Sequence, residues 1–380
     1  MNSKTVQLIP PGPPGSGDAV DVAAGRLAVR TRRLEGGRRD GVTLVELVAG
    51  DTSVVVLPDR GLGIWRVRAG GVDLGWRSPV GGPVHPRFVP VGEPSGIGWL
   101  DGFDELVARC GLVSNGAPDF DDRGRLRHPL HGRIANLPAH ELAVTLDEAA
   151  GTVTLAGAVD ETRFLVHALR MTTSVTLRAD RPGIAWTDTV TNLSGRPTTM
   201  QMLYHVNLGP PLLGAGAEVV AAVAELAPRD AAAAPDVPRW NHYDAPRAGR
   251  GEEVHFARLV PDASGRATAL LVAPGGGTAA ALSWNVASLP CFTLWKNQAG
   301  LADGYVTGLE PATNHPNPRS FEESQGRVVT LAPGASITFN LALDVLAGDA
   351  VAAERARLAA LSPPGGPRFH TAPRPGWSAG

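Results

Sequence analysis

The sequence predicts an all-β protein, a large antiparallel β-sandwich with a few short helices. Three observations carry that expectation. Short runs rich in Val, Thr and Leu alternate apolar with polar residues, as in GRLAVRTRRLEG and GVTLVELVAGDTSVVVLPDRGLGIWRVRAGG. Turn-forming residues recur between these runs at short intervals. The 46 Gly and 33 Pro make up about a fifth of the 380 residues, which suits a turn-rich β protein and stops short of the level that marks disorder. The long crossover helices that parallel strands need are missing.

The elements read in order as follows. Residues 1–18, rich in Pro and Gly, are expected to be flexible. Residues 19–347 form the sandwich domain. Within it, Val20 to Arg68 gives short strands with tight turns, and Gly70–Gly71 suits a hairpin. Residues 74–140 are different: DGFDELVARCG reads as a brief helix, and the rest as long loops dense in His, Trp, Arg and Asn. Loops of that length in a compact domain usually carry function. Strands dominate again from Leu142 to Leu213. A Pro/Ala/Arg loop covers 228–253, and strands resume to Leu346. Residues 348–380 are expected to be a short helix, DAVAAERARLAAL, followed by a disordered tail.

Composition narrows the function. A hydrophobic fraction of 43% supplies a sizeable core. A net charge of -2 with no basic stripe gives no reason to expect nucleic acid or an anionic membrane as partner. No apolar run reaches the roughly 18 residues that span a bilayer, and MNSKTVQLIPPGPPGSG lacks the apolar core of a secretory signal. Cys110 and Cys291 have no metal-type spacing and make no disulfide framework. A cytoplasmic protein, monomer or homodimer, with a small-molecule partner is the expectation. Gly275–Gly277 has no Lys-Ser/Thr after it and is a turn, not a phosphate loop.

Three blocks concentrate the chemistry. HPLHGRIANLP places His128 and His131 in a loop. MLYHVNLGPPLL places His205 and Asn207 late in an apolar run. YVTGLEPATNHPNPRSFEESQG places Glu310 on an otherwise apolar strand, followed by Asn314, His315 and Arg319. A carboxylate on such a strand is costly to bury without a partner or a role.

These blocks resemble those of the aldose 1-epimerase (galactose mutarotase-like) superfamily. His131-Gly132, Tyr204-His205-Val206-Asn207-Leu208 and Leu309-Glu310-Pro311 occur in the family's order. LPDRGLGIW, GFDELVARCGLVSNGAP, LHGRIANLPA and LEPATNHPNPRSFEESQG are similar to an uncharacterised aldose-epimerase-like subfamily, a domain of unknown function, over about residues 20–347. The resemblance implies a galactose mutarotase-like supersandwich and an isomerase acting on a carbohydrate. It also implies Glu310 as base, His205 as acid and His131 as a second polariser near the ring oxygen. The chemistry suits these residue types. Mutarotation removes a proton from the anomeric hydroxyl and returns one to the ring oxygen, which asks for groups that titrate near the working pH.

Further substrate contacts are expected from Arg60, Asn207, Lys296, Asn297, Asn314, His315 and Arg319. Asp101, Asp104 and Glu105 serve either a binding loop or a helix cap. Trp65, Trp76, Trp99, Trp284 and Trp295 are core residues more often than sugar platforms. No cofactor is expected. A divalent metal would need His85, His128 and His315 to join His131 and His205, and no His-x-His or HExxH spacing supports that. The sequence departs from ordinary mutarotases in its His- and Arg-rich 74–140 loops and in ATNHPNPRSFEESQG, which suggests an acidic, phosphorylated or oxidised sugar. Two other readings stand beside the epimerase: an isomerase or lyase abstracting a proton from a keto-sugar or uronate, and a non-catalytic sugar-binding protein.

Overall fold

A computed structural model describes residues 3–10 and 19–379. Its strands form two large sheets packed face to face. One has nine strands, with Glu141–Asp147, Thr152–Arg163, His167–Arg178, Gly183–Asn192 and Ser336–Ala347 at its heart. The other has fourteen and runs through Gly63–Ala69, Val107–Leu112, Thr198–Leu208, Val306–Ala312, Cys291–Asn297, Glu253–Leu259 and Val223–Pro228. The pairing along these central strands is antiparallel. The sandwich expected from alternation is therefore present. Val29, Leu47, Val54, Leu155, Val175, Trp186, Tyr204 and Phe339 join residues of both sheets in one buried core. Among the described residues no helix is long and apolar enough to cross a membrane.

The Gly70–Gly71 hairpin forms as expected: both glycines have positive φ (54° and 76°), the conformation a tight hairpin turn demands. The helix of Asp349–Ala360 also forms. The helix expected in DGFDELVARCG does not. Gly98–Gly102 is a short 3-10 turn, and Val107–Leu112 is a strand buried along its whole length. A strand covered on both faces loses its alternation, so its apolar run cannot be told from a helix by period.

Both chain ends differ from expectation. Ser3–Ile9 pairs antiparallel with Glu141–Asp147, and Val6, Leu8 and Ile9 pack against the core. Residues 11–18, expected to be flexible with them, lie outside the described residues. The tail, expected to be disordered, docks. Arg368–Phe369 pairs with Glu225 and Leu226, and His370 Nε2 lies 2.7 Å from Glu225 Oε1. Further on, Arg327 Nη1 donates to Gly376 O (2.6 Å), and the Trp377 ring sits 4.9 Å from His315. These contacts come from isolated side chains in a Pro-rich segment, so no period announces them.

Between the sheets lies a buried ionic clamp. Arg109 donates to Asp188 through Nε (2.6 Å) and Nη2 (3.1 Å). Tyr204 Oη (2.9 Å) and Thr173 Oγ1 (2.7 Å) complete the Asp188 carboxylate, and Arg109 Nη1 donates to Leu62 O (2.5 Å). Both charged side chains are fully buried. Removing one partner leaves the other charged and dry, which costs about 3–5 kcal/mol. Asp188→Ala is therefore expected to lower unfolding free energy by about that amount in urea titration. An Arg109→Met/Asp188→Leu pair should recover much of the loss.

Candidate active site

The site grows from strand alternation. On Thr198–Leu208 the even positions Tyr204 and Val206 point into the inter-sheet core. Leu203, His205 and Asn207 point to the other face of the sheet. The register Leu203↔Ala312 and Val206↔Leu309 puts His205 across from Glu310, and Glu310 pairs in turn with Thr293 on the next strand. His205 Nε2 and Glu310 Oε1 are 3.2 Å apart. Among the described residues Glu310 Oε1 has no hydrogen-bond partner. Gly308 makes the closeness possible: a Cβ there would stand 2.4 Å from Glu310 Oε1 and 3.1 Å from His205 Cε1.

Aromatic rings from the 74–140 region and a neighbouring strand enclose the pair. Ring centroids of Phe103 (5.0 Å), Trp295 (5.3 Å), His131 (5.3 Å) and Trp99 (6.2 Å) surround His205. Trp99 also meets His131 edge-on at 4.6 Å. His131 sits at φ 56°, a left-handed conformation, and Gly132 follows at φ 72°, where a Cβ would stand 2.0 Å from Ser114 O. The His-Gly step is thus a backbone requirement that presents the imidazole.

Two amides fix the tautomers. Asn207 Nδ2 donates to Glu105 O and to His205 O (both 3.0 Å), so its Oδ1 accepts from His205 Nδ1 at 2.6 Å. His131 Nδ1 lies 2.9 Å from the carbonyl of Asn115, which can only accept. Both rings therefore turn Nε2 toward the site. Burial holds His205 well below the usual histidine range, with the repulsion a charged His131 would exert on a charged His205 adding to it, and burial brings His131 to about 4. Burial, reinforced by the Glu252 carboxylate, pushes Glu310 well above the usual carboxylate range. Burial thus favours the uncharged forms, neutral imidazoles beside a protonated Glu310.

The remaining expected contacts divide. His315 lies on the same face of the sheet: it stacks on Phe256 (4.5 Å, 20°), which pairs with Thr293 beside Glu310, and among the described residues its Nδ1 has no hydrogen-bond partner. Asn314 exchanges two 2.9 Å hydrogen bonds with Asn115 and so braces the carbonyl that holds His131. Arg60 has its guanidinium engaged by Glu105, Val84 O, Asn136 and Gly102 O, and it braces the loop whose Glu105 carbonyl holds Asn207. Asn297 donates to Gly304 O (2.8 Å) and closes a turn. Arg319 donates to Val113 O and Thr199 Oγ1. Lys296 leaves the site altogether. Next to Trp295 on its strand, it faces the opposite side, pairing with Asp236 and lying 5.3 Å over the Tyr243 ring. Asp104 and Glu105 cap no helix; they accept from Trp65 Nε1 and Arg60.

Sequence reading missed Thr293, Asn115, Gly308 and Glu252. Thr293 Oγ1 and Trp99 Nε1 are buried without a hydrogen-bond partner. Glu252 accepts from Trp295 Nε1 (2.7 Å) and Arg229 (2.9 Å) at the edge of the enclosure. Of these, Asn115 had a signal in the LVSNG run; the others depend on cross-strand register. Among the described residues no three His, Cys, Asp or Glu side chains gather as metal ligands. His85, one of the extra histidines weighed for a metal, caps a 3-10 turn by accepting from Arg87 N (3.2 Å).

With this geometry in place, comparison with known proteins is informative. A family model described as Domain of unknown function (DUF4432) matches residues 39–345. The chain belongs to that family. Its structure is similar to that of a candidate aldose 1-epimerase from Klebsiella pneumoniae subsp. pneumoniae, with 29% identity, TM-score 0.93, and 98% of this chain and 99% of that one covered. A galactose mutarotase-like protein from Clostridium acetobutylicum (16%, TM-score 0.57, 85% and 100% covered) shares the fold. So does a galactose 1-epimerase from Lactobacillus acidophilus (14%, 0.54, 85% and 99%). No curated protein matches the chain. The DUF4432 chain is thus a galactose mutarotase-like sandwich.

His315 allows a test of this electrostatic account. Burial brings it to about 3, against 6.5 in an unfolded chain. Between those values the unfolded state binds a proton that the folded state refuses, so stability falls as pH falls through that window. The His315→Gln variant is expected to show a slope of stability against pH shallower by about 1.4 kcal/mol per unit between roughly pH 6 and 4, measured by urea titration.

Proposed function

We propose that the protein is a carbohydrate epimerase that interconverts the anomers of an aldose or a modified sugar. The observation that carries this reading is the His205–Glu310 pair: an acid and a base 3.2 Å apart, buried, ringed by aromatic side chains, with open hydrogen-bonding capacity on Glu310, Thr293, Trp99 and His315. Aromatic faces suit the apolar side of a pyranose, and unpaired buried polar atoms suit its hydroxyls.

The pair shares one proton. In the empty site burial keeps it on Glu310, the arrangement with no net charge on either group. Sugar hydroxyls donating to the carboxylate favour its ionised form, and the proton passes to His205 Nε2. Glu310 then takes the proton of the anomeric hydroxyl while His205 delivers its own to the ring oxygen. The C1–O5 bond breaks, C1 becomes an aldehyde and C5 carries a hydroxyl. Rotation about C1–C2 presents the other face, and the same two groups run the steps backwards. Asn207 keeps Nε2 aimed throughout. His131, whose Nδ1–H is engaged by Asn115, offers Nε2 as an acceptor for a sugar hydroxyl. Because the working form is a tautomer of the one-proton pair, the rate should be flat between the two apparent pKa values of the pair and fall outside them.

Exchange spectroscopy of anomeric protons tests the reading. Glu310→Gln is expected to slow enzyme-dependent exchange by about 10²–10⁴-fold, and His205→Asn similarly. Gly308→Ala, which adds a methyl against the Glu310 carboxyl, is expected to slow it by at least tenfold with little change in circular dichroism. Wild-type rates in all three variants would reject the assignment.

A further inference from the structure

The His- and Arg-rich loops that suggested a charged substrate do not put their cations around His205. Three of them, Arg127, His128 and Arg133, line a separate cleft of about 450 Å³ that borders the 128–133 segment. Its walls include Arg127, His128, Arg133, Arg163 and His167, with Ser114 and Glu161 also lining it. Two of the arginines come from the 74–140 loops and the third from the end of Thr152–Arg163, so the fold brings these charges together from distant parts of the chain.

These cations are not neutralised by the protein. Among the described residues, Arg127, Arg133 and Arg163 make no side-chain hydrogen bond or ion pair. The two carboxylates in the lining are already engaged. Asp160 accepts a bidentate pair from Arg170 (2.7 and 2.8 Å). Glu161 accepts the backbone N–H groups of Leu112 (2.6 Å) and Val113 (3.3 Å), and burial lifts it to about 7, so near neutrality it carries only about half a negative charge against the three arginines. Ser114 Oγ, 1% exposed at the residue level, is buried in this lining without a hydrogen-bond partner. Like-charged side chains around a concave surface repel one another unless an anion sits between them, and planar guanidinium forks match the oxygens of a phosphate.

We propose that this cleft is a binding site for a phosphate-bearing small molecule, separate from the His205–Glu310 site. The arginines hold the phosphate; His128, which burial brings to about 4, His167, which burial also lowers, and Ser114 Oγ offer neutral hydrogen bonds; and the volume accommodates a ligand of the size of a sugar phosphate. The 128–133 segment forms a wall of this cleft and carries His131 into the catalytic site, so an occupant bears directly on the backbone that presents His131.

Calorimetric titration with glucose 6-phosphate, with glucose as control, tests this in wild type, in Arg133→Ala/Arg163→Ala and in Glu310→Gln. Both arginines are exposed, so the double variant should fold normally. Saturable binding of glucose 6-phosphate is expected, weakened at least about tenfold in the arginine variant, unchanged in Glu310→Gln, and not reproduced by glucose. Absence of saturable binding, or equal affinity in the arginine variant, overturns the proposal. Binding lost in Glu310→Gln but kept in the arginine variant places the ligand at the catalytic pair and overturns it as well.

Discussion

The bidentate pairing of Arg109 with Asp188 ties the two sheets together directly behind the His205–Glu310 pair. Arg109 sits across from Tyr204, the residue before His205, and Tyr204 itself donates to Asp188. One strand therefore has its inner face anchored in a dry ionic network and its outer face in the site. A buried ion pair contributes little net stability against an apolar isostere. Its value here is geometric: the carboxylate accepts only one arrangement of donors from three strands, and that arrangement sets where His205 stands relative to its neighbours.

The outer face carries an opposite kind of burial. Glu310, Thr293, Trp99 and His315 are desolvated with polar atoms unmet, whereas Asp188 has every acceptor engaged. Unmet buried atoms cost stability, and they are tolerated where a ligand can meet them. The same desolvation pushes the carboxyl up and the imidazoles down, so both shifts have one cause. A second layer of amides and carbonyls, Asn207 on Glu105 and Asn314 on Asn115, fixes which nitrogen of each imidazole faces inward.

Much of this was legible in the sequence, for identifiable reasons. Period-two alternation gave the sheets, and Glu310 stood out because a carboxylate on an apolar strand needs a reason. His205 and Asn207 are two apart, so a strand necessarily puts them on one face. The same rule read more strictly would have separated Lys296 from Trp295, since neighbours on a strand face opposite ways. Arg60 and Arg319 look identical in sequence whether they grip a ligand or a backbone carbonyl. The register that sets Thr293 beside Glu310, the Asp188 network and the docked tail all depend on contacts between distant segments, and no local pattern records them. The arginines of the 74–140 region stand out in the sequence, but only the fold shows that Arg127 and Arg133 line a cleft with Arg163.

In the proposed mechanism the pair moves protons between oxygen atoms at C1 and never abstracts a proton from carbon. Turnover in deuterium oxide with a panel of free and phosphorylated aldoses, uronates and keto-sugars, followed by proton NMR, tests this most directly. Accelerated exchange of the anomers of one sugar, with no loss of any carbon-bound proton signal, is expected. Deuterium appearing at the carbon beside a carbonyl would contradict it and assign the pair to an isomerase or lyase instead.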